Sequence, residues 1–352
     1  MTILKINFMF IPLVVKTTCG KTTCGKTTCG KFVFDFANFI KFPITFKGSK
    51  MIQDELKERI LYSALISPFV LVFALVNIEN TLFSVYIFTF ILTLASTIVF
   101  ETFRMYESKF GVVIPKIKKF LFLVLVITVT SLISLVLEDN GSVDKILKDL
   151  STVSYIVMLS YVFVLVFNLS ISALKTTKHN YLVVDTLFTN LSLYVGLTLG
   201  VMMAIKFFDI YNKTYFVAFL LAVGWISELG GLIGGKYFGK IKLSFMASPK
   251  KTVEGTVGSL IFAIFAGIAF KGILDLIGYQ SRIFLENYAS VVILSLIIFV
   301  FDFFGDIIES LIKRYFDVKD SSNIFKALGG VFDIFDGVML GSLGVLLYII
   351  IR

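Results

Sequence analysis

Long hydrophobic segments separated by short polar ones dominate this chain. Nine segments are each long and apolar enough to predict a membrane-spanning helix, which needs about 20 apolar residues. They lie at about 60–77, 82–100, 120–137, 151–174, 182–205, 215–235, 256–277, 289–304 and 331–351. The pattern predicts an all-α fold: a polytopic integral membrane protein with about nine transmembrane helices.

The charges of the connecting segments predict the orientation of these helices. If the N-terminus is cytoplasmic, the cytoplasmic side receives the lysine-rich segments at 116–119, 175–178, 236–251 and 313–326. The other side receives 77–81, which has no Lys or Arg, and the acid-rich segment 138–149. Because Lys and Arg concentrate in cytoplasmic loops, we expect a cytoplasmic N-terminus and a multi-pass protein of the cell (inner, cytoplasmic) membrane.

Composition supports the membrane class and excludes nucleic acid as a partner. Of the 352 residues, 57% are hydrophobic, and the mean hydropathy is +0.92. The net charge of +9 is explained by the positive loops, and no nucleic-acid-binding module is recognisable.

Residues 1–50 differ from the remainder and read as a low-complexity N-terminal extension. They contain three tandem copies of Lys-Thr-Thr-Cys-Gly, which hold all three cysteines of the chain, Cys19, Cys24 and Cys29. Without a nearby histidine these cysteines do not complete a zinc site. We expect this extension to be dispensable or to reflect a misassigned start, with Met51 beginning a transmembrane domain over 51–352. Within it, 60–205 carries no motif that indicates chemistry, and we interpret it as helical scaffold.

Acidic and basic residues interrupt the hydrophobic pattern between positions 302 and 336. At helical spacing one face carries Asp302, Asp306, Glu309, Ser310 and Lys313, and after Gly329-Gly330 come Asp333 and Asp336. A carboxylate at mid-membrane costs roughly 2.5–3.5 kcal/mol, so such residues mark functional sites by default. An interfacial helix with a solvated acidic face is the alternative. Carboxylates beside lysines suit a hard cation such as Mg²⁺ together with a polyphosphate.

Two sequence blocks carry a more specific signal. One is Ser310-Leu-Ile-Lys313-Arg314, four residues, Lys319-Asp320, then Gly329-Gly330-Val-Phe-Asp333-Ile-Phe-Asp336. The other is Ser248-Pro249-Lys250-Lys251-Thr252-Val253-Glu254-Gly255, preceded by Trp225-Ile-Ser-Glu228. Together they resemble the CTP:phosphatidate cytidylyltransferases, also called CDP-diacylglycerol synthases, in which an Asp stands in place of Glu228.

The resemblance implies a nucleotidyltransferase of phospholipid biosynthesis. The family transfers CMP from CTP to phosphatidic acid, giving CDP-diacylglycerol and pyrophosphate. The expected partners are CTP, phosphatidic acid and the lipid bilayer, and the family also suggests a homodimer. The expected cofactor is Mg²⁺, with a second cation left open, and the active site should face the cytoplasm.

The resemblance also implies that 206–352 is the catalytic region, and it implies roles for individual residues. The expected metal ligands are Asp306, Asp333, Asp336 and Glu228, with Asp302 as a weaker candidate. The expected catalytic residues are Ser310, Lys313, Arg314, Lys319 and Asp320. The expected substrate-binding residues are Ser248, Lys250, Lys251, Thr252 and Glu254.

The chain departs from the family pattern at two motif positions. Leu328 stands where the family has His, and Ile334 stands where it has Arg, whose planar charged group binds phosphate in a way that isoleucine cannot. An inactive paralogue is therefore an alternative. Two others are a related CTP-dependent enzyme acting on another lipid phosphate and, from a different class, a cation-binding transporter.

Overall fold

The computed structural model describes residues 7–8, 11–12, 66–111, 113–137, 181–243, 248, 251–279, 286–325 and 328–351. The chain divides into two compact units, Met1–Gly48 and Ser49–Arg352. In the first unit, β1 (Asn7–Phe8) and β2 (Ile11–Pro12) form a short antiparallel pair. The cysteine repeat lies outside the described residues.

Among its described residues, the second unit consists of α-helices joined by turns and loops, with one isolated β-bridge between Lys242 and Thr252. Its helices are α1 (Ile66–Leu75), α2 (Thr81–Phe110), α3 (Lys116–Leu137), α4 (Tyr181–Asn212), α5 (Phe216–Phe238), α6 (Val253–Leu276), α7 (Tyr288–Tyr315) and α8 (Val331–Ile351). The predicted all-α class is thereby confirmed for this part of the chain.

Six of the described helices are long and apolar enough to cross a membrane. They are α2, α4 (counted over Leu187–Asn212), α5, α6, α7 and α8. The predicted segment 151–174 and the beginning of 60–77 lie outside the described residues. The total of nine spans therefore stays a prediction.

Helices α2 and α7 extend beyond the hydrophobic segments that predicted them. Helix α2 continues to Phe110 and ends at Gly111, whose backbone has a φ of 63° and whose N–H donates to the Glu107 carbonyl. Helix α7 continues past Phe304 to Tyr315. Hydropathy marks only the apolar part of a helix, whereas backbone hydrogen bonding continues through polar residues. The extension of α7 keeps Asp306 and Glu309 on one regular helix.

Glycines allow α5 and α6 to cross at very short distance. A Cβ atom added to Gly258 of α6 would lie 2.5 Å from the Gly230 carbonyl oxygen and 3.2 Å from the Gly234 Cα of α5. Small residues are typical of such crossings in membranes, where water does not drive helices together and close packing must do so. The crossing holds the loop between α5 and α6 in place.

A buried polar network joins α4 to the start of α5. Asp209, which is fully buried, accepts hydrogen bonds from the backbone N–H groups of Phe216 (2.8 Å) and Val217 (2.9 Å). Lys206, also fully buried, donates to Asn77 Oδ1 at 2.6 Å. Asp209 thus caps the first turn of α5, where the N–H groups have no partner within the helix.

The close crossing predicts a position-specific effect of adding one methyl group. We expect Gly258→Ala to lower the free energy of unfolding by about 1–3 kcal/mol, because the methyl group overpacks the contact with α5. Gly272 lies on the same helix with no atom within 4 Å of an added Cβ. Gly272→Ala should therefore change stability by less than about 1 kcal/mol, in the stabilising direction. Thermal unfolding of both proteins in detergent, followed by circular dichroism, compares them, and equal midpoints would contradict the packing argument.

Candidate active site

The site forms where α7 crosses α8. A Cβ atom on Gly305 of α7 would lie 2.6 Å from the Asp336 carbonyl oxygen and 2.9 Å from the Gly337 Cα of α8. Each of these glycines is the sequence neighbour of an acidic residue, Asp306 in α7 and Asp336 in α8. The close backbone contact therefore brings the two acids together.

Three carboxylates form a cluster at this crossing. Asp306, Glu309 and Asp336 each offer an oxygen atom, and these atoms all lie within 4.8 Å of one another. Glu309 is fully buried, whereas the Asp306 side chain is 41% exposed. Closely spaced carboxylate oxygens are the ligand type that hard divalent cations take. The donor set therefore fits Mg²⁺.

The Glu309 carboxylate is incompletely satisfied by the protein. Among the described residues, neither of its oxygens has a hydrogen-bond partner of good geometry. The Lys313 Nζ lies 2.7 Å from Glu309 Oε2, so it supplies opposite charge without a well-directed hydrogen bond. A buried polar group with unused acceptors is unusual in a folded protein. Its presence supports the cluster as a binding site.

Two lysines, one from each predicted motif block, lie against the acidic cluster. Lys251 Nζ is 2.6 Å from Asp306 Oδ2 and lies 4.4 Å from the centroid of the Phe303 ring. Lys313 Nζ is also 2.7 Å from Asp333 Oδ1. The blocks around Ser248 and Ser310, distant in sequence, thus meet at one site. Ser310 itself donates to Asp306 Oδ1 at 3.3 Å.

Asp333 has a different environment from Asp336. Its Oδ1 pairs with Lys313, and its Oδ2 accepts from the Ser321 N–H at 2.8 Å, the Ser321 hydroxyl at 2.6 Å and the Gly330 N–H at 2.7 Å. Both oxygens are engaged in holding the segment before α8. The three-carboxylate cluster contains Glu309 instead of Asp333, although Asp333 was the predicted ligand.

Asp302 and Glu228 extend the acidic surface beyond the cluster. The Asp302 carboxylate lies in a gap left by glycines, where a Cβ atom on Gly224 of α5 would be 3.2 Å from its Oδ1 and one on Gly337 of α8 would clash with it. Glu228 is exposed on α5 and interacts electrostatically with Asp302 and Asp336.

Two predicted substrate-binding residues support the start of α6. Thr252 is its N-cap residue, and its hydroxyl oxygen accepts from the Gly255 N–H at 3.1 Å. The Glu254 carboxylate accepts from the Ile241 N–H, with 3.2 Å to each oxygen. These contacts close the ends of the loop between α5 and α6. The loop is thereby held where Lys251 meets Asp306.

The other predicted substrate-binding residues lie within this loop. The Ser248 carbonyl accepts from the Lys251 N–H at 3.2 Å, which makes a local turn before α6. Lys250 lies outside the described residues.

The remaining predicted catalytic residues are exposed at the end of α7 and in the following connection. Arg314 donates from Nη1 to the Val318 carbonyl at 3.1 Å. The Nζ atom of Lys319 lies 3.9 Å from Oδ2 of Asp320, and the two side chains are 72% and 43% exposed.

The two departures from the family pattern have distinct surroundings. Leu328 lies in the connection before α8, where its N–H donates to the Phe325 carbonyl at 2.9 Å. Ile334 is partly buried against the hydrophobic core. Lys326, the nearby basic residue, lies outside the described residues.

Two residues at the site come from 60–205, the segment that the sequence predicts to be helical scaffold. Glu101 of α2 is 1% exposed and contacts the connection between α7 and α8. Its signal in the sequence is a lone acid within an apolar helix, which is the same kind of signal that marks 302–336. Tyr194 of α4 has a buried hydroxyl without a hydrogen-bond partner in the described part of the chain, and it interacts electrostatically with Asp336 and Glu309. A tyrosine in an apolar helix gave no comparable signal.

Comparison with known proteins gives the family. The sequence matches the model of the cytidylyltransferase family over residues 57–352. The chain belongs to this family. The resemblance carried by the two motif blocks is thereby confirmed.

Relatives of this chain include three bacterial proteins named phosphatidate cytidylyltransferase. The Bacillus subtilis (strain 168) protein is 33% identical over 148 residues, which cover 42% of this chain and 52% of the relative. The Staphylococcus saprophyticus protein is 32% identical over 215 residues, 59% of this chain and 72% of the relative. The Staphylococcus haemolyticus protein is 30% identical over 164 residues, 46% of this chain and 58% of the relative. The chain thus spans between about half and three quarters of the length of these relatives.

The ion pairs at this site predict that two lysines contribute unequally to the stability of the protein. Lys313 is largely buried between Glu309 and Asp333. We expect Lys313→Met to lower the free energy of unfolding by about 3–5 kcal/mol, because it leaves buried carboxylates without a counter-charge. Lys319→Met, which removes an exposed charge, should cost less than about 1 kcal/mol. Denaturant unfolding in detergent measures both, and comparable losses would contradict this assignment.

Proposed function

We propose that this chain is a phosphatidate cytidylyltransferase. It transfers CMP from CTP to phosphatidic acid, giving CDP-diacylglycerol and pyrophosphate, and it uses Mg²⁺. The observation that carries the proposal is the cluster of Asp306, Glu309 and Asp336 with Lys251 and Lys313 against it. Family membership and the names of the relatives support the choice of nucleotide and lipid.

The reaction joins two anions, so its main requirement is charge neutralisation. A phosphate oxygen of phosphatidic acid attacks the α-phosphorus of CTP. The bond between the α-phosphorus and the oxygen that bridges it to the β-phosphorus breaks, and pyrophosphate leaves. Positive groups fixed around the reacting phosphates stabilise the charge that develops during the transfer. A bound Mg²⁺ supplies Lewis-acid stabilisation of the phosphoryl oxygens.

The side chains divide this work by position. Asp306, Glu309 and Asp336 would hold the cation. Lys251 lies just before α6, and its ion pair with Asp306 is partly exposed to solvent, so its amino group can turn from that carboxylate to a phosphate oxygen. Lys313 holds Glu309 and Asp333 in place by charge.

The more exposed motif residues are suited to the incoming nucleotide. Arg314 and Lys319 supply positive charge at the exposed edge of the site, where the polyphosphate of CTP would first contact the protein. Asp333 and Glu228, which the sequence predicts as metal ligands, and Asp302 would serve as further acids around the cation. The predicted catalytic residues Ser310 and Asp320 and the predicted substrate-binding residues would order the loops and the phosphates; the latter are Ser248, Lys250, Thr252 and Glu254.

We further propose that the site opens to the cytoplasmic face of the cell membrane, in a protein of about nine spans whose N-terminus is cytoplasmic. The positive-inside distribution of Lys and Arg supports this orientation. One substrate keeps its acyl chains in the bilayer while the other arrives from water, so a site at helix ends beside basic loops suits both. The family match, which begins at residue 57, supports 51–352 as the cytidylyltransferase domain. A homodimer is proposed from the family alone.

Turnover by the purified protein tests the proposal. We expect Mg²⁺-dependent conversion of labelled CTP and phosphatidic acid to CDP-diacylglycerol in mixed micelles, abolished by a chelator. Asp336→Asn and Glu309→Gln should each lower kcat at least about a hundredfold, because each removes a group that holds charge against the reacting phosphates. Asp275→Asn is the matched control, since Asp275 lies at the far end of α6 in an exposed ion pair with Lys271.

The outcomes separate the proposal from its alternatives. Turnover that persists in Asp336→Asn, or that does not depend on Mg²⁺, would contradict the assigned site. Turnover with a prenyl phosphate but not with phosphatidic acid would point to another lipid acceptor. Activity that appears only after Leu328→His and Ile334→Arg would point to an inactive paralogue.

A further inference from the structure

Glu101 is a buried acid in a helix whose sequence carries no cytidylyltransferase motif. It lies on α2 and is 1% exposed. Burying a carboxylate in an apolar helix is costly unless strong hydrogen bonds compensate, so its position requires an explanation.

The Glu101 carboxylate acts as the cap of another helix. Its Oε1 accepts from the Val331 N–H at 2.9 Å, and its Oε2 accepts from the Phe332 N–H at 3.0 Å. Val331 is the first residue of α8. The first N–H groups of a helix lack partners within it and carry partial positive charge, so a carboxylate there is favoured. The cap of α8 is thus supplied by α2, over two hundred positions earlier in the chain.

The same carboxylate also fixes the connection that leads into α8. Its Oε1 accepts from the Ser322 hydroxyl at 2.7 Å, and its Oε2 lies 3.1 Å from the Ser321 hydroxyl. Ser321 in turn donates to Asp333 Oδ2. Gly330 has no room for a Cβ atom, which would clash with both Glu101 and Ser321. Glu101 therefore holds both sides of the turn that begins α8.

The first turns of α8 carry the acid that completes the cluster. Asp336 follows Phe332 by one helical turn, and its carboxylate must lie near Asp306 and Glu309 of α7 for the three to act together. A change in the position or rotation of the first turn of α8 moves Asp336 relative to α7. Small displacements of this kind have large effects on binding and catalysis.

We infer that Glu101 is a positioning residue of the active site, which holds the first turn of α8 so that Asp336 meets Asp306 and Glu309 around a divalent cation. This inference rests on the proposed function, because it assumes that Asp336 helps to hold the cation. It assigns a role in the reaction to a residue of α2 outside both motif blocks.

Cation affinity distinguishes this role from a purely structural cap. A residue that only stabilises α8 would lower the unfolding temperature when replaced and leave cation affinity of the folded protein unchanged. A positioning residue changes the affinity of the folded protein, and a variant that keeps the negative charge restores part of it.

The test is Mn²⁺ binding to the purified full chain in detergent, measured from the electron paramagnetic resonance signal of free Mn²⁺. Binding lost in Asp336→Asn defines the site. We expect Glu101→Gln to weaken binding at least about tenfold, as is typical for residues that orient metal ligands. Glu101→Asp should retain part of the affinity, because it keeps the charge at the start of α8 on a side chain that is one methylene shorter.

Glu107→Gln is the control on the same helix. Glu107 pairs with Lys119 at 2.6 Å and accepts from the Ile114 N–H at 2.9 Å, so its partners lie between α2 and α3. The Glu107→Gln protein should bind Mn²⁺ with the same affinity as the unmodified protein. Wild-type affinity in a folded Glu101→Gln protein would overturn the inference.

Ser322→Ala provides a second variant in case Glu101→Gln does not fold. It removes one donor to Glu101 and leaves the buried charge in place, and we expect about two- to fourfold weaker Mn²⁺ binding. Unchanged binding in this variant would overturn the inference.

Failure of the proposed function has a different signature: no Asp336-dependent binding in the unmodified protein, or binding without turnover of CTP and phosphatidic acid.

Discussion

The grouping of carboxylates between apolar helices is the constraint on which the site depends. Asp306, Glu309 and Asp336 repel one another at the short distances that the structure gives, and water is largely excluded from Glu309. Positive charge held against ionised carboxylates offsets this repulsion. Lys251 and Lys313 supply that charge from separate parts of the chain. The need to offset buried negative charge thus explains why the two basic motif blocks converge.

Close helix crossings at glycine residues set the backbone positions on which this arrangement depends. Gly305 and Gly337 bring α7 and α8 almost into backbone contact, and Gly230, Gly234 and Gly258 do the same for α5 and α6. The first crossing sets the distance between the acids, and the second fixes the helix that begins next to Lys251. Because packing in a membrane relies on such small-residue contacts, fold and site share the same residues.

Residues that look equivalent in the motif have separate tasks in the structure. Asp333 and Asp336 lie one helical turn apart. Both carboxylate oxygens of Asp333 accept hydrogen bonds, from Lys313, Ser321 and Gly330, whereas Asp336 joins the cluster. Glu101 reaches the same turn from α2. The start of α8 is therefore organised by two carboxylates, so that a third is presented to α7.

Local sequence determined the elements, and long-range contact decided how they are used. Hydropathy located α2 and the helices from α4 to α8, and the ordered motif residues identified the family, because both signals lie within short stretches of chain. The inclusion of Glu309 in the cluster, the engagement of Asp333 and the capping by Glu101 were not predictable in this way. Each depends on which helices touch and on which partner competes for a given carboxylate. Spacing along one helix places Glu309 on the polar face, but only the crossing with α8 decides that it meets Asp336.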